Sequence, residues 1–279
     1  MRSRELVASV VSRLLDSIGL ELNRKGVGER LQGLQARSKK LEQGARQSGA
    51  MLAWLQLVPN LRMPDQEWLD YLPDARSQLG QDLFALFCSN FKKRGFFLEI
   101  GATDGQSLSN TWILEKRFSW SGLLVEPARR WHGDLFRNRS CSIDTRAVWP
   151  SSDGSVGFYE LAMSSAVAPV AKSEDKLAAR REYEVATVHP VDLLKAHQVP
   201  KRIDFLSLDT EGSELQILES FPFNNYEVLV ACIEHNFRPD RGDIEALMES
   251  QGFTAVLGEV SKHDTWFVAD KVLRKRRMF

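Results

Sequence analysis

The stretch Phe97-Leu98-Glu99-Ile100-Gly101-Ala102-Thr103-Asp104-Gly105 carries the strongest chemical signal of the chain. A short apolar run ends in an acidic residue and then in a turn bounded by two glycines. Glycine accepts left-handed torsions and lets backbone approach a ligand closely. A pyrophosphate site needs G-x-G-x-x-G at the mouth of a helix, where N–H groups meet negative charge. Here the spacing is G-x-x-x-G, and the flanking carboxylates Glu99 and Asp104 would repel a pyrophosphate while suiting an ammonium or a sulfonium. A second apolar run, Leu123-Leu124-Val125, ends in Glu126, which can accept hydrogen bonds from both hydroxyls of a ribose. The pair of strand ends fits a nucleoside with a positively charged amino-acid tail. S-adenosylmethionine has that chemistry, and methyl transfer is the reaction it implies.

These residues need an α/β sheet to hold them. From Ser77 onward strand-like and helix-like segments alternate, with strands expected at 96–100, 122–126, 143–148, 203–208, 228–234, 253–257 and 264–268. Helices are expected at 79–92, 107–117, 128–137, 190–197, 213–220 and 241–251. The near-continuous apolar runs are what strands buried on both faces require. Seven strands with the last two close together fit a Rossmann-like sheet whose final strand is antiparallel. Val156–Tyr159 and the polar stretch Ser164 to Glu184 interrupt the rhythm, and that long loop is a candidate lid over the site.

In such sheets ligands bind beyond the carboxyl ends of the strands. The first end supplies Glu99, Gly101, Thr103 and Asp104, and the second Glu126. The third supplies Asp144, Thr145, Arg146 and Ala147, where an adenine would lie, so Arg146 and Ala147 join the cofactor set. The fourth supplies Asp209, Glu211 and Ser213, and the fifth Glu234, His235 and Asn236. Methyl transfer to oxygen requires a hydroxyl to lose its proton, with help from a general base or a metal. His235 is a candidate base. Asp209 with Glu234 is a candidate pair of ligands for magnesium or another hard divalent cation. Both readings stand at this point. Asp209 and Glu211 have the alternative role of capping the helix near Gly212, and His235 that of a structural histidine. His132, His189, His197 and His263 lack metal-ligand spacing and are assigned no chemistry.

Taken together, several motifs resemble the FkbM-type methyltransferases. They are Ser77-Gln78-Leu79-Gly80-Gln81-Asp82, the glycine turn itself, Leu108-Ser109-Asn110-Thr111 with Leu114-Glu115-Lys116, Trp120 to Pro127, and Ile203 to Glu214. The resemblance covers about residues 77 to 270. It implies a class I methyltransferase fold and S-adenosylmethionine-dependent O-methylation, often of sugars. It also implies that Gln81 and Asp82 border the methionine end of the cofactor and that Asn110 lies near the acceptor, although Asn110 could equally cap the following helix. Asp209 is assigned to cofactor and chemistry, and Glu211 and Asn236 to the acceptor. Some sugar O-methyltransferases of this fold carry acidic metal ligands after the fourth and fifth strands. His235 stands where one more acid would be expected.

The chain has 279 residues with 37 basic and 37 acidic side chains, a balance that asks for no nucleic-acid partner. Three separated cysteines argue against a disulfide framework or zinc cluster and for a reducing cytoplasm. Residues 1–76 read as a helical, basic extension and bridge, 77–270 as the methyltransferase domain and 271–279 as a basic tail. Leu6, Val7, Val10, Val11, Leu14, Leu15 and Ile18 fall at helical spacing. Arg13 and Asp16 interrupt the stripe, unlike a signal peptide. The extension is read as a solvated appendage, a homo-oligomer contact or a peripheral membrane contact. The rival readings of the whole are an inactive methyltransferase-fold scaffold, or methyl transfer to another small-molecule oxygen or nitrogen. A nicotinamide oxidoreductase is the weakest, since G-x-G-x-x-G is missing.

Overall fold

The computed structural model describes residues 71, 73–160, 165–171 and 181–276, with the side chains of 275 and 276 left aside. Of the extension and bridge expected over residues 1–76, positions 1–70 and 72, with the apolar stripe, lie outside the described residues. So do 161–164, 172–180 and Arg277 to Phe279.

Helix α1 (Gln81–Cys88) precedes β1 (Phe96–Ile100), α2 (Trp112–Phe118), β2 (Ser121–Val125), α3 (Arg129–Asn138) and β3 (Ser142–Asp144). There follow β4 (Ala147–Val148), β5 (Ser155–Glu160), β6 (Ser165–Val167), β7 (Arg181–Val188), α4 (Pro190–Ala196), β8 (Arg202–Ile203), β9 (Phe205–Leu208) and α5 (Glu214–Ser220). The chain continues through β10 (Glu227–Val228), β11 (Val230–Glu234), α6 (Arg241–Ser250), β12 (Phe253–Val256), α7 (Gly258–Ser261), β13 (Asp264–Ala269) and α8 (Asp270–Arg276).

The main sheet has seven strands in the order β12-β13-β11-β9-β1-β2-β3. β13 runs antiparallel to both its neighbours while the other pairings are parallel. This is the class I methyltransferase sheet, with the order reversing between β1 and β9. The expected seven strands are all present, three of them broken. The 143–148 segment divides because Asp144 turns back to accept from the Arg146 backbone N–H at 2.9 Å and from its guanidinium at 2.6 Å. β4 then leaves the main sheet to pair with β7.

Alternation along the strands sends successive side chains to opposite faces. Phe97, Leu124 and Phe205 enter one apolar cluster with Phe84, Leu86, Ile113 and Trp266. Leu98, Leu123, Val125 and Leu206 enter the other with Leu193, Leu194, Ile217, Ile244 and Met248. Every residue of α1 is buried, and its Phe84 ring stacks on Trp266 at 4.8 Å.

One expectation is corrected. The polar interruption at 155–188 is not simply a loop: β4, β7, β5 and β6 form a second, four-stranded sheet. Its β5 strand alternates buried and less buried positions, with Val156 and Phe158 inward. The start of the basic tail is helical, and Val272 and Leu273 pack on the core. Among the described residues no helix is long and apolar enough to cross a membrane.

Candidate active site

A cavity of about 410 Å³ opens beyond the carboxyl ends of β1, β2, β9 and β11, within the size range of small-ligand sites. Its geometry starts at Gly101. The backbone there has φ +93°, and a Cβ would overlap the carbonyl oxygen of Asp209. The N–H groups of Gly101 and Ala102 both donate to Val125 O, at 2.9 and 3.1 Å. These bonds pin the first strand end to the second. Thr103, at φ 47°, completes the turn.

Glu126 joins the two ends. Its carboxylate accepts from the Thr103 N–H and from the Ala128 N–H, each at 2.7 Å. Burial pushes its pKa up to about 7. The two N–H donors oppose that rise, and the charges of Glu160 and Glu99 add to it. The carboxyl remains on the cavity wall.

Glu99 also lines the cavity, but its oxygens are engaged by the next segment of its own chain. They accept from Asn110 N–H at 2.8 Å and from the hydroxyls of Ser109 at 3.1 Å and Thr111 at 2.5 Å. Burial still raises its pKa, against the pull of Arg139. Asp104 accepts from the Gln106 and Ser107 N–H groups and closes the turn. Asn110 donates through Nδ2 to Ser207 Oγ at 2.8 Å. Its buried Oδ1 has no hydrogen-bond partner among the described residues, and the residue lines the cavity.

Asp209, Glu211 and Glu234 meet on the far side, with one carboxylate oxygen of each within 4.8 Å of the others. Asp209 has area open to the cavity, yet protein crowds it closely, and the crowding governs its charge. Burial first, then the repulsion of neighbouring carboxylates, raises both Asp209 and Glu234, so the pair favours holding a proton or a cation between them. The capping alternative for Asp209 and Glu211 falls to Glu214, which accepts from Thr210 N–H at 2.7 Å and from Gly212 N–H at 3.2 Å.

Most sequence-derived site residues therefore converge. Gln81, Glu99, Gly101, Thr103, Asp104, Glu126, Ala147, Asp209, Asn110, Glu211, Glu234 and Asn236 all line one cavity. Two do not reach it. Arg146 is held on Asp144. His235 is 1% exposed, its Nδ1 accepts from Phe237 N–H at 3.0 Å, and it faces away from the cavity. His235 lies just past the last residue of β11, and its neighbours Glu234 and Asn236 line the cavity while it does not.

Sequence reasoning missed His263 and Asp264, which line the cavity from the start of β13. Asp264 lies opposite Glu234 in the β11–β13 register and accepts from Gln81 Nε2 at 2.8 Å. It also missed Phe158, while Ser165 and Val167 belong to the stretch read as a candidate lid; through these three the second sheet walls the cavity beside Trp131 and Val148. The residues present fit S-adenosylmethionine. A glycine cradle admits close approach, a buried carboxylate faces the ribose position, an apolar wall suits a purine, and acidic groups suit the charged tail.

Three solved structures resemble the chain. The first is a precorrin-6y C5,15-methyltransferase from Geobacter metallireducens, 10% identical over 67% of this chain and 86% of that one, with a TM-score of 0.36. The second is the fibrillarin pre-rRNA processing protein of Methanococcus jannaschii, 12% identical over 63% of this chain and 66% of that one, with a TM-score of 0.33. The third is a putative sarcosine dimethylglycine methyltransferase from Galdieria sulphuraria, 10% identical over 64% of this chain and 63% of that one, with a TM-score of 0.34. No curated protein matches in sequence. Residues 99–255, more than half of the chain and the span from Glu99 to the strand before β13, match the Methyltransferase FkbM domain, and the chain belongs to that family.

Proposed function

We propose that this chain is an O-methyltransferase that moves the methyl group of S-adenosylmethionine to a hydroxyl of a sugar or glycan-like acceptor, in the cytoplasm. The observation that carries the reading is the convergence of Asp209, Glu211 and Glu234 on the cavity opposite Glu126. One end of the site suits a ribose, and the other a positive charge together with polyhydroxylated matter.

When bound, the cofactor supplies an electrophilic methyl carbon on a sulfonium. The chain does the positioning. Glu126 accepts from the ribose hydroxyls, and the Gly101 turn brings its backbone against the ligand. Asn110, with its unpartnered Oδ1, and Asn236 and Glu211 orient the acceptor. Holding both partners in line converts a bimolecular displacement into a unimolecular one. Incubating the chain with methyl-labelled S-adenosylmethionine and cell extract, followed by mass spectrometry, tests the reading. Label on a sugar oxygen supports it, and label on nitrogen replaces it with N-methylation. No transfer from a cofactor that binds tightly favours an inactive scaffold. A divalent cation is the alternative occupant of Asp209 and Glu234. Under it, chelator abolishes the transfer and magnesium or manganese restores it.

Glu126→Ala is expected to lose about 1–3 kcal/mol of cofactor binding, the usual cost of removing a charged hydrogen-bond partner. Protonation of Glu126 removes an acceptor, so affinity falls as pH drops below about 7. In Glu126→Gln that dependence disappears. Calorimetric titration with S-adenosylhomocysteine from pH 6 to 8 checks both, and an unchanged profile in the glutamine variant removes Glu126 from the ribose site.

Residues 1–50 form the proposed partner-binding arm and lie outside the described residues. Their deletion is expected to leave cofactor affinity within about twofold while changing particle mass or vesicle binding, because a stripe so apolar requires a partner. An equal number of chains per particle and equal vesicle binding in both forms would make the arm a passive appendage.

A further inference from the structure

We infer that His263 is the residue that takes the proton of the acceptor hydroxyl, with Asp264 beside it as the group that steadies the charged ring. This assignment rests on the methyl-transfer reading above and names the base within that site.

The chain has five histidines. His132 Nε2 bonds the Glu126 carbonyl at 2.9 Å, and His197 Nε2 bonds Asp144 at 2.8 Å. His189 Nδ1 accepts from Val191 N–H, and His235 Nδ1 from Phe237 N–H. Each of these rings has one nitrogen committed to local structure, and none of them lines the cavity. The ring nitrogens of His263 make no hydrogen bond among the described residues, and His263 is the one histidine lining the cavity. Its backbone is fixed, because its carbonyl oxygen accepts from the N–H groups of both His235 and Asn236, each at 2.9 Å. The side chain is thus presented from a rigid edge but left uncommitted, which is the condition of a group that works on a ligand.

The neighbours complete the case. His263 Nε2 lies 3.8 Å from Asp264 Oδ1, too long for a hydrogen bond but close enough to tighten when the ring gains charge. Asp264 is itself held by Gln81 Nε2 at 2.8 Å and by Trp266 Nε1 at 3.4 Å. This is the order of base and orienting carboxylate that proton transfer requires. Asp209 and Glu234 are drawn toward holding a proton or a cation already, whereas His263 has a free nitrogen. In the step, the acceptor O–H bond breaks as the oxygen forms its bond to the methyl carbon. The proton passes to a ring nitrogen of His263, and the electron pair of the breaking C–S bond leaves with sulfur.

The test uses the full chain and S-adenosylmethionine labelled with ¹³C at the methyl. A ¹³C-filtered nuclear Overhauser spectrum is expected to connect that methyl to the ring protons of His263, with the signal lost in His263→Gln. The variant is expected to keep its affinity for S-adenosylhomocysteine within about threefold. It is expected to lose about 10²–10⁴-fold in label transfer to the extract acceptor, a loss that imidazole partly restores in His263→Ala. A methyl contact that avoids His263, or unimpaired transfer by the glutamine variant, overturns the assignment. Failure of the wild-type chain to bind either cofactor form in calorimetry overturns the methyl-transfer reading first, and this assignment with it.

Discussion

Gly101→Ala is expected to abolish measurable cofactor binding and to lower the melting temperature by on the order of 10 °C. Two penalties act at one position. The backbone at φ +93° lies where an L side chain is strained, and the added methyl would overlap the Asp209 carbonyl oxygen. Neither strand end can retreat, because Asp209 N–H donates to Ile100 O at 3.0 Å and Gly101 N–H to Val125 O at 2.9 Å. Torsional strain costs about 1–3 kcal/mol and overpacking a similar amount. At roughly 2–4 °C per kcal/mol for a domain of this size, the shift follows. Gly242→Ala is the control: its Cβ would meet nothing within 4 Å, and it lies inside α6, so stability should hold or rise slightly. Thermal unfolding with and without S-adenosylhomocysteine measures both variants. An alanine variant at Gly101 that binds and melts like the wild type would show that the turn has freedom the packing denies it.

Much of this site was legible because a parallel sheet advertises its working edge. Apolar runs such as 96–98 and 123–125 end where acidic residues begin, and that boundary located Glu99, Glu126, Asp209 and Glu234 on one rim. The antiparallel strand was harder to use, although the information was present. β13 points the other way, so its first residue and not its last reaches the rim. That rule brings Asp264 to the cavity, with His263 just before the strand beside it, while looking only at strand ends favoured His235. The second sheet was least legible. β5 finds its partner β7 across an irregular polar stretch, and nothing local to Val156–Tyr159 names a strand so distant. Likewise, the guanidinium of Arg146 could point to a ligand in sequence. The Asp144 carboxylate two positions before it claims that guanidinium in space.

Asp209→Asn and Glu234→Gln are expected to make the protein more stable and the site less able to bind. Each carboxyl is held above its ordinary range, by burial first and then by neighbouring carboxylates. A group whose folded-state pKa is raised contributes stability that is present below its unfolded value, near pH 4, and is lost as pH rises through the folded value. Ionising the cluster therefore works against the fold at neutral and alkaline pH. An uncharged amide of the same shape removes that repulsion. The melting temperature of each variant should exceed that of the wild type at pH 8, and the gap should shrink toward pH 4. Cofactor affinity should move the opposite way, falling about 10–100-fold, because the positive ligand charge loses its partner. The combination separates a binding cluster from a merely structural one: capping or core-bracing carboxylates lose stability when neutralised. Amide variants that melt lower than the wild type at pH 8 while binding S-adenosylmethionine unchanged would place the cluster in the scaffold and leave the charged tail to be held elsewhere.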